Sequence, residues 1–196
     1  MKNIFLILIV SFSFSFCKAQ APVNAPIISL STATSDSFKI INNGAYFKDV
    51  DNRYAQWVGT WQYQNGNTLF KIVIEKVEGV YFPLNSGHFI NPITCYVDLL
   101  VGKYYYEKDG IVISNHLTYI DPKTAPLICG GIYGYPNIEN VKLNLLYREF
   151  EKRPGLTGGP ANFSLLSGST TQAKWEFDSS MKRNYSVPDN VILTKL

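Results

Sequence analysis

Hydrophobic positions along this chain recur at every second residue over most of its length. Phe70, Ile72 and Ile74 lie on one side of a stretch whose other side carries Lys71 and Glu75. Trp61 and Tyr63 alternate with Thr60, Gln62 and Gln64. Val141, Leu143, Leu145 and Tyr147 alternate with Lys142, Asn144 and Arg148. Trp175 and Phe177 flank Glu176, and the chain closes on a β-branched run from Val191 to Leu196. A period of two is the signature of half-buried strands. No window longer than about two turns has the helical period of 3.6. The pattern predicts an all-β domain, either a single antiparallel β-barrel or a strongly curved sandwich.

The segment from Asp51 to Lys76 carries the clearest punctuation. Asp51 is a suitable N-cap for a short helical turn before the first core strand, and Tyr54 and Trp57, three apart, fall on one face of it. Gly59 ends the turn and admits the chain to a strand. Asn65-Gly66 between two alternating runs predicts a hairpin. The recipe returns farther on. Val58-Gly59-Thr60-Trp61-Gln62-Tyr63 is echoed by Val101-Gly102-Lys103-Tyr104-Tyr105-Tyr106, and each copy runs into a turn, the second at Asp109-Gly110. Duplication and convergence on one hairpin recipe explain the echo equally well.

At the N-terminus the pattern changes. Met1-Lys2-Asn3 precedes an apolar run from Ile4 to Phe16, short of the roughly 20 residues that span a bilayer. With small residues at Cys17 and Ala19, it reads as a signal peptide over residues 1–19, cleaved near Ala19-Gln20 and delivering a secreted or periplasmic protein. Phe16 directly before Cys17 argues against lipoprotein anchoring. Residues 20–44, with Pro22 and Pro26 among Ser, Thr and Ala, read as a flexible leader, and residues 45–196 as one β domain.

Losing Lys2 and Lys18 with the signal lowers the formal net charge from +3 to +1. No basic patch then survives to neutralise phosphates, so nucleic acid is not an expected partner. No second run is long and apolar enough for a transmembrane helix. Export favours a bridge between Cys95 and Cys129 over two buried thiols. His88 and His116 stand in no ligand-like spacing with them, so no metal site is expected.

Catalytic chemistry finds little to work with. His88 has Ser86 nearby but no Gly-x-Ser-x-Gly elbow, and His116 follows Asn115 at a strand end. Asp98, Glu107 and Asp109 lie in or beside one hairpin, where turn formation and solvation account for them. Asp49-Val50-Asp51 begins like a calcium loop, but Arg53 stands at its third ligand position. Neither Gly130-Gly131 nor Gly158-Gly159 opens a phosphate-binding loop. No enzymatic activity and no cofactor are expected.

Aromatic residues are abundant, with 13 Tyr, 12 Phe and 3 Trp, more than a core alone requires. In Tyr104-Tyr105-Tyr106 the outer two must share a face. Tyr133 and Tyr135 form a second such pair if their segment is extended. Such amphipathic rings suit a cleft rim or an outer barrel wall.

Gly59-Thr60-Trp61 after a short turn resembles the entry of lipocalin-like (calycin) barrels. The resemblance implies that Trp61 closes one end of a barrel under a cation from the far end of the chain, here Lys195. An early turn at Asn65-Gly66 departs from that pattern. More broadly, Tyr46-Phe47-Lys48-Asp49, Trp57–Tyr63, Asp98–Tyr104, Asp109-Gly110-Ile111 and Ile192-Leu193-Thr194-Lys195 are similar to a family of secreted proteins of flavobacteria and their relatives, catalogued only as a domain of unknown function. That similarity implies export and β architecture and carries no activity.

Three functions follow as expectations. The first is a non-enzymatic barrel binding an apolar or amphipathic small molecule, with Tyr63, Phe70, Ile72, Tyr104, Tyr106 and Leu145 as ligand contacts. The second is a structural or interaction protein of the cell envelope, with a filled core and an aromatic surface for protein or glycan. A secreted hydrolase is third.

Overall fold

Eleven strands and no α-helix make up the part of the chain that the computed structural model describes, residues 22, 24–32, 44–84, 93–118, 128–130, 142–149, 157–178 and 185–196. In chain order they are β1 (Ile27–Ser29), β2 (Tyr46–Lys48), β3 (Gly59–Asn65), β4 (Thr68–Leu84), β5 (Ile93–Lys108), β6 (Ile111–Asn115), β7 (Ile128–Gly130), β8 (Lys142–Glu149), β9 (Thr157–Leu165), β10 (Gln172–Phe177) and β11 (Val191–Lys195). The all-β reading is correct.

The strands form one sheet in the order β1-β2-β5-β4-β3-β11-β10-β9-β8-β7, with β6 against β5 and a further pairing of β7 with β5. The β1–β2 and β2–β5 pairs are parallel, and the others are antiparallel. Within the leader, Ile27–Ser29 is therefore an edge strand.

β5 organises the sheet. One of its edges is paired along its length with β4. The other edge passes in turn to β2 at Tyr96–Val97, to β7 at Leu100–Gly102 and to β6 at Tyr105–Lys108. Glu78 and Gly79 bulge from β4 opposite Asp98, because the register moves from Val77↔Leu99 to Val80↔Val97. Gly79 has φ 60°, the left-handed conformation that suits glycine at such a bulge.

The echoed motif has a geometric explanation. β3 and β5 both run antiparallel to β4, so they cross the interior in the same direction. Gly59 and Gly102 flank Ile74, Trp61 and Tyr104 flank Ile72, and Tyr63 and Tyr106 flank Phe70. Each glycine leaves room for a side chain from the strand beyond. A Cβ on Gly59 would stand 2.9 Å from Lys195 Cε, and one on Gly102 would stand 2.7 Å from Ile128 Cβ. At this level the gap is filled from the strand beyond on both sides of β4, by Lys195 of β11 next to β3 and by Ile128 of β7 next to β5.

Several local expectations shift. Asp51–Trp57 is a run of turns without a helix. Its cap is Asp49, whose two carboxylate oxygens accept from the backbone N–H of Arg53 at 2.8 Å and of Tyr54 at 3.2 Å. The first hairpin turns at Gly66-Asn67, one residue later than the Asn-Gly pair suggests, since Asn65 pairs with Thr68. The second turns at Asp109-Gly110, both with positive φ (54° and 76°), as a two-residue hairpin loop of the right twist requires.

The cysteine bridge does not form. Cys129 pairs with Val101, six residues along β5 from Cys95. At about 3.3 Å per residue that is on the order of 20 Å, against the roughly 4.4–6.8 Å between Cα atoms that a disulfide spans. Cys95 is buried, which pushes its thiol up to about 11.

Candidate functional site

Five of the six residues expected to contact a ligand, Phe70, Ile72, Tyr104, Tyr106 and Leu145, are buried, and Tyr63 is partly so. All but Leu145 occupy two adjoining inward rows, Trp61–Ile72–Tyr104 and Tyr63–Phe70–Tyr106, while Leu145 lies across from Ala161 on the β8–β9 pair. They meet other aromatic rings there. Phe163 stands 5.4 Å from Trp57, 4.9 Å from Trp61 and 6.3 Å from Trp175 between ring centroids. Trp175 reaches Phe70 and Tyr147 at 6.0 Å each and Phe177 at 5.4 Å. Tyr147 continues to Tyr104 at 5.3 Å and to Tyr185 at 5.4 Å. Most of these contacts are edge-to-face, the arrangement that ring quadrupoles favour.

Trp61 ends this network on one side. Its indole donates to the Trp57 carbonyl at 2.8 Å. Lys195, its partner in register on β11, places Nζ 5.4 Å from the ring centroid and donates to the Gln56 carbonyl at 2.8 Å. Burial lowers the Lys195 ammonium below its ordinary pKa. The Gly59–Trp61–Lys195 arrangement expected from the sequence is present.

The charged cluster at the β4 bulge is a second candidate. Asp98 Oδ1 accepts from the Tyr46 hydroxyl at 2.5 Å and from Gly79 N–H at 3.1 Å, and Oδ2 accepts from Asp49 N–H at 3.0 Å. Lys76 Nζ lies 3.3 Å from Asp49, 3.4 Å from Glu78 and 3.7 Å from Asp98. Both aspartates are buried, while Glu78 faces solvent. A bulge and a change of edge partner both interrupt a ladder and leave N–H groups unpaired, and the Asp98 carboxylate serves both.

The chemistry of this cluster is that of a fastening. Burial, the hydrogen bond to Asp98 and the charges of Asp98 and Glu78 raise the Tyr46 phenol well above its usual pKa. Burial opposes the charge on Lys76, but Asp49, with Asp98 and Glu78, outweighs it and raises that pKa too. Neither group is poised to exchange a proton near neutrality. Both shifts bear on alkaline stability. A raised folded-state pKa contributes stability below the unfolded value and loses it as pH climbs through the folded one. Stability is therefore expected to fall from about pH 10 upward, where unfolded Tyr and Lys titrate. Lys195, shifted the other way, opposes the trend. Urea titrations between neutral and strongly alkaline pH check this, with Tyr46→Phe and Lys76→Met each flattening the slope.

A third feature was missed in the sequence. Ile27, Tyr46, Tyr96 and Tyr81 are paired in register across β1, β2, β5 and β4. They share the outer side, because the adjacent row of Ile28, Phe47, Val97 and Val80 packs inward. Ile27 is 62% and Tyr81 48% exposed, and Tyr46 and Tyr96 are half-buried. Tyr81 meets Tyr96 at 5.8 Å and 66°, while Lys48 Nζ stands 5.8 Å from the centre of the Tyr46 ring. The signal was scattered over four segments, and only register joins it.

Other candidates do not assemble. His88, Ser86, Tyr133 and Tyr135 lie outside the described residues. His116 packs edge-on against Tyr104 at 4.9 Å. Tyr105 donates to Glu107 on the outer face, and Asp109 makes the hairpin turn. Among the described residues no group of three or more His, Cys, Asp or Glu is placed to hold a metal ion, and no helix is long and apolar enough to cross a membrane. Ile111, Val112 and Ile113 are exposed on β6, where the register shift along β5 marks a bulge.

No curated protein and no solved structure matches the chain. A family profile described as a family of unknown function (DUF6705) matches residues 1–135. That is more than half of the sequence, and the chain belongs to this family.

Proposed function

We propose that this chain is an exported, non-enzymatic interaction module of the cell envelope, built as a β-barrel with a filled core. The signal-like N-terminus supports export. The pairing of β7 with β5 supports closure, because it joins the path β5-β4-β3-β11-β10-β9-β8-β7 to its own beginning. The lipocalin-like end, with Lys195 over Trp61, fits that architecture.

Small-molecule carriage in the interior is the less favoured reading, since rings from Trp61 to Tyr185 already meet one another there. The observation that carries the interaction reading is the exposed row Ile27–Tyr46–Tyr96–Tyr81. Tyrosines offer a rigid apolar face and a polar tip at small entropic cost, which suits them to contact surfaces.

Co-sedimentation with cell-envelope material from the source organism tests it. The wild-type chain is expected to pellet with the envelope, and Tyr81→Ala/Tyr96→Ala to stay largely in the supernatant with its fold intact by circular dichroism. Equal retention of the two proteins would remove the assignment.

A further inference from the structure

We infer that the tyrosine row is a binding site for an extended, neutral, β-linked oligosaccharide, laid across the strands from β4 toward β1. This rests on the interaction reading above and names the partner of that surface. Neighbouring strands lie about 4.8 Å apart, so Tyr81, Tyr96 and Tyr46 recur at roughly that step along the row. A pyranose in an extended β-linked chain advances by a similar step. Each sugar therefore meets one residue of the row, its C–H face against a ring and its hydroxyls beside the polar groups.

The ring geometry narrows the ligand. Tyr81 and Tyr96 are inclined at 66° and so present separate facets. Such facets suit a soluble chain that twists between sugars and do not suit the flat face of a crystalline polymer. Ile27 extends the apolar surface by one position at the sheet edge.

Charge narrows it further. The Tyr46 hydroxyl is already engaged by Asp98, and beside it lie Lys48, Lys76, Asp49 and Glu78. These five charged groups, two cations and three carboxylates, sum to a small negative charge. The outermost carboxylate is Glu78, with 62% of its side chain exposed. A polyanionic glycan gains nothing there, whereas neutral hydroxyls find both donors in Lys48 and an acceptor in Glu78.

Isothermal titration of the full chain with cellohexaose and N-acetylchitohexaose, and with an anionic galacturonate oligomer, tests the inference. Saturable binding of a neutral probe is expected, about tenfold or more tighter than the anionic one and weakened about fivefold or more by Tyr81→Ala. Tyr96→Phe, which keeps the ring, is expected to bind within about twofold of wild type. No saturation by either neutral probe, a preference for the anionic one, or undiminished binding by Tyr81→Ala overturns it. Envelope co-sedimentation separates this failure from that of the broader reading. Retention that still depends on Tyr81 and Tyr96 while neither neutral probe binds means that the row takes an envelope partner other than a neutral glycan, and only the glycan inference falls. Retention independent of the row removes both.

Discussion

Replacing Asp98 by alanine is expected to remove about 3–5 kcal/mol of folding stability, the range for breaking a buried charge pair by deleting one partner. The measurement is a fall in the urea midpoint at unchanged slope. Three donors lose their acceptor together: the Tyr46 hydroxyl, Gly79 N–H in the β4 bulge and Asp49 N–H at the end of β2. A buried donor left unsatisfied costs about 1–3 kcal/mol, which is why the loss exceeds that of one ordinary hydrogen bond. Asp98→Asn removes the charge that offsets Lys76 and keeps one accepting oxygen of the two, its NH2 replacing the other. Its cost should fall between wild type and alanine. If Asp98→Ala unfolds at the wild-type urea concentration, the cluster is not what fastens β2 and the bulge to β5.

Trp175→Ala is expected to be comparably damaging, about 3–5 kcal/mol, as for other large-to-small changes at aromatic core positions. Trp175 is fully buried and meets Phe70, Tyr147, Phe163 and Phe177, so its removal opens a cavity among four rings contributed by β4, β8, β9 and β10. Its indole N–H has no hydrogen-bond partner among the described residues. Trp175→Phe therefore deletes volume without breaking a hydrogen bond, and should cost well under half as much as alanine. Equal destabilisation by the two variants would mean that the N–H matters more than the ring. With total stabilities of domains typically about 5–15 kcal/mol, either alanine variant consumes a large fraction of the whole.

These two sites contrast in how far they could be read from the chain alone. Trp175 was legible as an inward residue because it alternates with Glu176 and Lys174, and side-chain direction along a strand is a local property. Asp98 was visible only as an acidic residue near a hairpin. Its importance depends on facing a two-residue bulge from a strand about twenty positions earlier, and on β2 ending beside it. The expected cap at Asp51 failed for a related reason. Asp49 and Asp51 are equally good local caps, and the packing of Asp49 against Lys76 decides between them.

The Asp51–Lys76 segment shows the same division. Period-two alternation, a glycine before a tryptophan and a tight turn were enough to determine strands, inward faces and the approximate hairpins. Each follows from interactions within a few residues. The helical turn did not form, since nothing in so short a stretch repays the nucleation of a helix. Register decided the rest. It set Gly59 and Gly102 on either side of Ile74, separated Cys95 from Cys129 by six positions along β5 and aligned three tyrosines and an isoleucine from four segments into one exposed row. Alternation tells which way a side chain points, but not which residue of another strand it will stand beside. That depends on bulges and on the order of strands around β5, which only the assembled sheet determines.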